Sequence, residues 1–396
     1  MSDIYDEIGV RKIINARGAS TNLGGVLLND KVMEAMNIAN QNNVDMDELF
    51  HKSGQAIARL IGAESAFVTS GCFAGLVQGA ASIMSGTNPK FIRQIPDTTG
   101  MKNEFLIQKQ MRYLYDHCIQ LAGGKLIEVG SSDGATIDEL SKAIGPQTAG
   151  ILHPVHMENV PGTIPLDQIV ALGKTKDIAV LVDAAFQYYP SSHFESIIKS
   201  GADLIGFSAK YMGGANSAGF VCGKKDRIEA LALHSFVENE WVGIPPRTTG
   251  VQTFGRGYKL DRHDIVGMVV TVKEWLRTDQ EERLADMEAK VTTIKQSLDN
   301  IPNITLEEKP AIAGNPPWVE LWINIDEQNL GRTARDIEYA LIQGDPPIWV
   351  TARYLLHYSG MDSCKENFGT IIIRPITIKS GEEHVVAERL RELLQS

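Results

Sequence analysis

The stretch Asp203-Leu-Ile-Gly-Phe-Ser-Ala-Lys210-Tyr-Met-Gly-Gly-Ala-Asn-Ser-Ala-Gly-Phe220 puts a lysine directly after an apolar run and follows it with a glycine-rich turn. Open α/β sheets bind ligands at the carboxyl ends of their strands, so a lysine in this place stands at the ligand end. Upstream, Ile178-Ala-Val-Leu-Val-Asp183-Ala-Ala-Phe-Gln187 reads as a buried strand ending in a carboxylate. Burying that charge is costly unless it meets a cation or a hydrogen-bond donor. Further upstream, Ala66-Phe-Val-Thr-Ser70-Gly71-Cys72-Phe-Ala-Gly75 reads as a strand, a hydroxyl-and-glycine turn and a helix start. Such a helix N-terminus offers free N–H groups to an anion. It is not a Walker loop, because no Gly-Lys-Ser/Thr follows at the required spacing.

Each of these three features has an ordinary reading by itself. A strand-end aspartate is commonly a cap or turn residue, a Ser-Gly before a helix is commonly only a cap, and a lone lysine is commonly a solvated charge. Their order, with 27 residues from Asp183 to Lys210 and the turn over a hundred residues earlier, fits pyridoxal 5′-phosphate. In that reading Ser70, Gly71 and Cys72 take the phosphate, Asp183 keeps the ring nitrogen protonated and Lys210 forms the Schiff base. Gln187 and Ser208 complete the expected cofactor-binding set.

Around these residues helical periods alternate with short apolar runs. Ala56–Ile61 precedes Ser65–Thr69, Ile137–Ile144 precedes Gly150–Val155, Leu166–Lys174 precedes Ile178–Asp183, and Ser196–Lys199 precedes Leu204–Phe207. That alternation predicts parallel βαβ units in an α/β domain. Leu284, Met287, Val291, Ile294 and Leu298 mark an amphipathic helix, expected to begin near Asp264 and to lead out of that domain. Beyond Pro302, Trp318–Ile325, Ile348–Ala352 and Thr370–Arg374 read as strands, with helices at Gly331–Gln343 and Glu382–Leu394. The expected organisation is an N-terminal arm and loop over 1–48, a large cofactor-binding α/β domain over 49–264, and a linking helix with a small α+β domain over 265–396.

The chain has 396 residues, enough for two or three units at roughly 150 residues each. With 38 Lys+Arg against 49 Asp+Glu the net charge is −11, which disfavours a nucleic-acid partner. Hydrophobic residues make up 43%, yet no apolar run reaches about 18 residues and no signal-peptide pattern is present, so a cytoplasmic location without membrane spanning is expected. Cys72, Cys118, Cys222 and Cys364 lie far apart without CxxC pairing, which argues against zinc and disulfides.

The ordered set resembles fold-type I pyridoxal-phosphate enzymes, and more narrowly the group of L-seryl-tRNA(Sec) selenium transferase and D-glucosaminate-6-phosphate ammonia-lyase. The narrower likeness rests on Val10-Arg-Lys-Ile-Ile-Asn15-Ala-Arg-Gly18-Ala-Ser-Thr21-Asn-Leu-Gly-Gly25, on Val44-Asp-Met-Asp-Glu-Leu49 with Ile61-Gly-Ala-Glu64, on Gly123-Gly-Lys-Leu-Ile-Glu-Val-Gly130, and on Gly255-Arg-Gly-Tyr-Lys259. It spans about residues 8 to 390. The resemblance implies a mostly parallel sheet with a smaller α+β C-terminal domain, a lysine aldimine at Lys210, and a homodimer or larger assembly with shared active sites. Selenium transferases usually carry an extra N-terminal domain that helps hold tRNA, whereas here the core motif starts almost at Met1, which lowers the tRNA expectation. The ammonia-lyase branch places a histidine over the cofactor ring. The matching stretch Ile107-Gln-Lys-Gln-Met111-Arg112-Tyr113 offers Met111 there.

Other candidates follow from residue type. Arg374 ends an apolar strand, where relatives of this fold place a guanidinium on the substrate carboxylate; a structural ion pair is the alternative. Arg256, Lys259 and the Thr248-Thr249 pair are candidates for an anionic substrate or a neighbouring subunit's phosphate, against plain surface solvation, and Arg112 is a further candidate for the substrate. His153 and His156 are three apart on a strand and so point to opposite faces; a shared metal is not expected, though one could face the cofactor. His51 and His117 read as surface or satisfied core groups, and Cys72, with no base beside it, as a packing residue. The expected activity is an α,β-elimination releasing ammonia and a 2-oxo acid from a β-hydroxylated amino acid or amino sugar acid, phosphorylated or not. Selenium or sulfur transfer, transamination, racemisation, aldol cleavage and a non-catalytic regulatory module are the alternatives.

Overall fold

The computed structural model describes residues 3–239, 253–314, 316–352 and 369–395. Thr248, Thr249 and Cys364 lie outside them. Two compact units emerge. The larger comprises Leu28–Arg277 with Ile312–Pro316, and the smaller Met1–Leu27, Thr278–Ala311 and Pro317–Ser396.

The larger unit is built on seven strands: β1 (Ser65–Thr69), β2 (Glu104–Gln108), β3 (Lys125–Val129), β4 (Thr148–Pro154), β5 (Ala179–Asp183), β6 (Leu204–Ser208) and β7 (Gly219–Gly223). Their order across the sheet is β1-β7-β6-β5-β4-β2-β3. Only β7 runs against its neighbours β1 and β6; the remaining pairs are parallel. Every residue of β5 and β6 is buried, as expected of central parallel strands covered on both faces, which read as continuous apolar runs. Helix Gly71–Ser85 lies against β5, β6 and β7. Its Gly75 permits that approach, since a Cβ there would lie 2.6 Å from Val221.

The stretch expected as arm and loop contains a helix, Asp30–Asn40, capped by Asn29. Its Val32 and Met36 pack on Gly267 of helix Arg262–Arg277. The single linking helix expected from Asp264 onward is two helices, Arg262–Arg277 and Gln280–Leu298. Asp279 separates them by accepting the N–H groups of Glu281 and Glu282, which starts a new helix in mid-pattern. No described helix is long and apolar enough to cross a membrane.

In the smaller unit, four antiparallel strands run in the order Thr351–Ala352, Thr370–Ile373, Glu320–Ile325, Ile304–Lys309. The N-terminal motif is stitched into this unit. Ile14–Asn15 pairs in parallel with Ile348–Trp349, and Arg374 N–H donates to the Ala16 carbonyl at 2.8 Å.

Candidate active site

Gly219, at the start of β7, pairs with Thr69 of β1 on one side and Ser208 of β6 on the other. The turns that follow those two strands, Ser70–Cys72 and Ala209–Met212, therefore leave the sheet at the same end. Asp183 closes β5 beside Pro154 of β4 and Gly206 of β6, at that end too. A Cβ on Gly219 would lie 2.4 Å from the Phe207 carbonyl oxygen and 2.8 Å from the Cys72 nitrogen, so only glycine lets the turn backbone approach this closely. Gly71 holds a left-handed φ of +86° that starts the helix, whose first N–H groups receive no cap from the Ser70 side chain.

Asp183 is 3% exposed. Among the described residues its partners are donors and none is a cation: the Ala185 N–H and the Cys72 thiol on Oδ1, at 3.0 and 3.6 Å, and the Tyr113 hydroxyl on Oδ2, at 2.5 Å. Burial, reinforced by the charge of Asp183, pushes the Tyr113 hydroxyl and the Cys72 thiol well up, so both keep their protons and donate. Cys72 is thereby excluded as a thiolate nucleophile at neutral pH.

Lys210 lies half-buried in the turn after β6, with Nζ 5.0 Å from the Tyr211 ring centroid. Burial lowers its pKa, which raises the neutral amine fraction. From Tyr211 a run of rings leads back to the carboxylate: Phe186 at 5.6 Å, then His156 at 5.3 Å, then Tyr113 at 5.1 Å. His156 Nδ1 is buried with no hydrogen-bond partner among the described residues. Burial pulls the pKa of this imidazole down, and Asp183 opposes the effect.

A family model described as L-seryl-tRNA selenium transferase matches residues 112–238, which include Tyr113, His156, Asp183 and Lys210. A 5'-C-glycyluridine monooxygenase-decarboxylase of Streptomyces sp is 28% identical over 98% of this chain and 92% of its own. D-glucosaminate-6-phosphate ammonia lyase of Salmonella typhimurium is 26% identical over 99% of this chain and 98% of its own. A solved D-glucosaminate-6-phosphate ammonia-lyase superposes with a TM-score of 0.81 at 26% identity, covering 100% of this chain and 99% of the other. The chain has the fold of the fold-type I pyridoxal-phosphate enzymes and is similar over its whole length to the selenium transferase and ammonia-lyase group. A serine palmitoyltransferase variant of S. paucimobilis with a bound PLP-myriocin aldimine, 14% identical with a TM-score of 0.57 over 97% of this chain and 87% of the other, shares the fold alone.

The cofactor this family implies is pyridoxal 5′-phosphate, and the residues present fit it. A buried carboxylate with no cation among its described partners suits a protonated ring nitrogen, because one of its approximately four acceptor positions, on Oδ2, remains after the Tyr113, Ala185 and Cys72 donors. The uncapped turn over Gly219 suits a phosphate, and the lysine with a lowered pKa suits a carbonyl.

Among the expected residues, Ser70, Gly71, Cys72, Asp183, Ser208 and Lys210 stand at one end of the sheet. Gln187 is buried, meeting His193 at 2.8 Å and donating to the Gly314 carbonyl at 3.2 Å. Met111, expected over the cofactor ring, is 0% exposed in the turn Lys109–Met111. Arg112 pairs with Asp116 and Glu128. Arg374, in the smaller unit, donates to Glu320 at 2.6 Å, to Thr351 at 2.9 Å and to the Arg17 carbonyl at 3.3 Å, the ion-pair alternative for this residue. Arg256 is exposed on the turn Phe254–Tyr258. His153 donates to or accepts from Glu158 at 2.7 Å, while His156 is the histidine beside Asp183 and Tyr113. His51 meets Gln55 and His117 the Leu114 carbonyl. Tyr113, Phe186 and Tyr211 were not singled out by the sequence. A tyrosine five residues beyond the buried end of β2 was the available signal for the first.

Proposed function

We propose that the protein is a lyase that eliminates a β-hydroxyl from an amino acid or amino sugar acid, phosphorylated or not, and yields a 2-oxo acid and ammonia. The observation that carries this reading is the pairing of the buried Asp183, which has no cation among its described partners, with a lysine of lowered proton affinity at the same end of one sheet. The full-length likeness to the ammonia lyase supports the reaction class. Bound pyridoxal phosphate supplies an electron sink for the pair of electrons left at Cα. Lys210 Nζ takes the Cα proton, and its burial lowers its proton affinity and so favours the neutral amine that this role needs. Asp183 holds the proton on the ring nitrogen, oriented by the Ala185 N–H. The turn at Gly71 and Cys72 binds the phosphate through backbone N–H groups. Tyr113, His156, Phe186 and Tyr211 wall the site with rings that limit water.

A second reading, oxygen-dependent decarboxylation of an amino acid, is motivated by the 28% identity to the monooxygenase-decarboxylase. The experiment begins with the visible spectrum of the purified protein before and after borohydride, with peptide mapping of the pyridoxyl group and a Lys210→Ala control. Candidate hydroxy amino acids are then assayed for ammonia, 2-oxo acid, carbon dioxide and oxygen uptake. Ammonia with 2-oxo acid at constant oxygen supports the lyase. Carbon dioxide with oxygen uptake replaces it with the second reading, and a protein that never takes up the chromophore overturns both.

A further inference from the structure

Tyr113 joins the cofactor-facing carboxylate to a charged cluster that the proposed chemistry does not use. Its hydroxyl donates to Asp183 Oδ2 at 2.5 Å, while its backbone N–H donates to Asp116 Oδ2 at 3.1 Å. Asp116 is in turn gripped by Arg112 through Nε and, at 3.4 Å, through Nη2; Nη1 of the same guanidinium reaches Glu128 of β3. A line of contacts therefore runs from Glu128 through Arg112, Asp116 and Tyr113 to Asp183. The outer end is half-open, with the Arg112 side chain 37% exposed and that of Asp116 only 6%. A buried phenol needs some acceptor for its proton, and any carbonyl would satisfy it. A carboxylate partner does more, because a donor on an ionised oxygen draws off charge that would otherwise be offered to a second donor.

We propose that Tyr113 is a positioning residue that sets how strongly Asp183 holds a ring nitrogen, and that the Arg112–Asp116 pair is the clamp that keeps its hydroxyl there. The inference rests on the cofactor reading above. It assigns Arg112 to the scaffold of the cofactor site rather than to substrate. Deleting the hydroxyl leaves Asp183 with the Ala185 N–H and the Cys72 thiol, both on Oδ1, and frees Oδ2. Oδ2 then offers its charge undivided to a ring N–H.

The test uses the full chain stripped of cofactor and titrated with pyridoxal 5′-phosphate and with its analogue carrying C–H in place of the ring nitrogen. The ratio of the two dissociation constants isolates the Asp183 contact, since phosphate and lysine contacts are common to both. Tyr113→Phe keeps the ring against His156 and removes only the hydroxyl. The preference for the nitrogen-bearing compound is expected to rise about three- to tenfold, the range of one charge-assisted hydrogen bond partly redistributed. Asp116→Asn, which loosens the clamp, is expected to move the ratio in the same direction by about twofold, and it decides the matter if the phenylalanine variant does not fold. An unchanged ratio, or equal weakening of both compounds, overturns the inference and leaves Tyr113 a packing residue. A wild-type chain that binds neither compound overturns the cofactor reading and this inference with it. A wild-type chain that binds both with a normal chromophore isolates any failure to Tyr113.

Discussion

Gly219→Ala tests whether the phosphate turn, the lysine turn and the sheet depend on one backbone approach. The added methyl would stand 2.4 Å from the Phe207 carbonyl oxygen, 2.8 Å from the Cys72 nitrogen and 2.8 Å from the Gly71 carbonyl carbon. All three are backbone atoms of β6 or of the helix start, so no side-chain rotation relieves the contact. Overpacking of this kind costs about 1–3 kcal/mol. For a unit the size of Leu28–Arg277 each kcal/mol lowers the melting temperature by about 2–4 °C, so the expected drop is roughly 2–12 °C. Relief by separation of β7 from the turn also moves the Cys72 N–H away from the anion position, and affinity for pyridoxal phosphate should fall with stability. Gly145→Ala is the control, because a Cβ there meets nothing within 4 Å; it should stay within about 0.5 kcal/mol. Differential scanning calorimetry and cofactor titration of the two variants measure both effects. A Gly219→Ala protein that melts with wild type and binds the cofactor equally well would refute the argument that this glycine holds the site together.

Lys210, its proton affinity lowered by burial, should react with acetic anhydride at a lower pH midpoint than the average lysine in a peptide-resolved labelling experiment; an ordinary midpoint speaks against it as a base. His234 is 0% exposed, with burial bringing its pKa down to about 4 from 6.5. Its folded value lies below its unfolded one, so its contribution is full above pH 6.5 and is lost as pH falls toward 4, amounting to about 3 kcal/mol. His234→Gln should flatten chemical denaturation midpoints across that window, and an unaltered slope would assign the acid loss to other groups. Arg374→Ala leaves the part-buried Glu320 without its guanidinium and should destabilise the smaller unit by about 2–4 kcal/mol. Were Arg374 chiefly a substrate ligand, KM would rise with the melting temperature unchanged.

The parts of the fold legible in the sequence are those where one local rule dominates. The continuous apolar runs of β5 and β6 announce buried parallel strands, and the residues just after them, Asp183 and Lys210, stand where such sheets bind ligands. Helix Asp30–Asn40 escaped because only Val32 on it is fully buried and the flanking glycines read as loop. The break at Thr278–Asp279 escaped because apolar spacing continues on both sides of it, while the new start depends on a capping geometry that spacing does not carry. β7 was hidden inside a segment read as a glycine-rich turn, though its first glycine is the residue that β1 and β6 share. The partners of Arg112 and Arg374 were illegible for a different reason. An arginine at a strand end looks alike whether it awaits a substrate or grips a carboxylate 54 residues away, as Arg374 grips Glu320.

The lyase and decarboxylase readings proposed above differ in which bond at the amino-acid carbon is broken, and the groups at the sheet's end bear on that choice. A decarboxylation leaves its electrons behind as carbon dioxide departs and needs no base at Cα. Elimination begins with removal of a proton, so it needs an amine that is neutral at working pH and fixed near the carbon. Burial shifts Lys210 toward the first requirement by lowering its proton affinity, and its place two residues beyond a strand whose every residue is buried serves the second. Asp183 completes the logic from the opposite direction. With no cation among its described partners, this carboxylate favours a proton on the ring nitrogen, and that electron sink serves the electron pair left at Cα when its proton is removed. Burial of one charge lowers the lysine's proton affinity and burial of another raises the demand for a cation on the ring. The two effects act together on proton abstraction, which is the step that separates the lyase reading from the decarboxylase one.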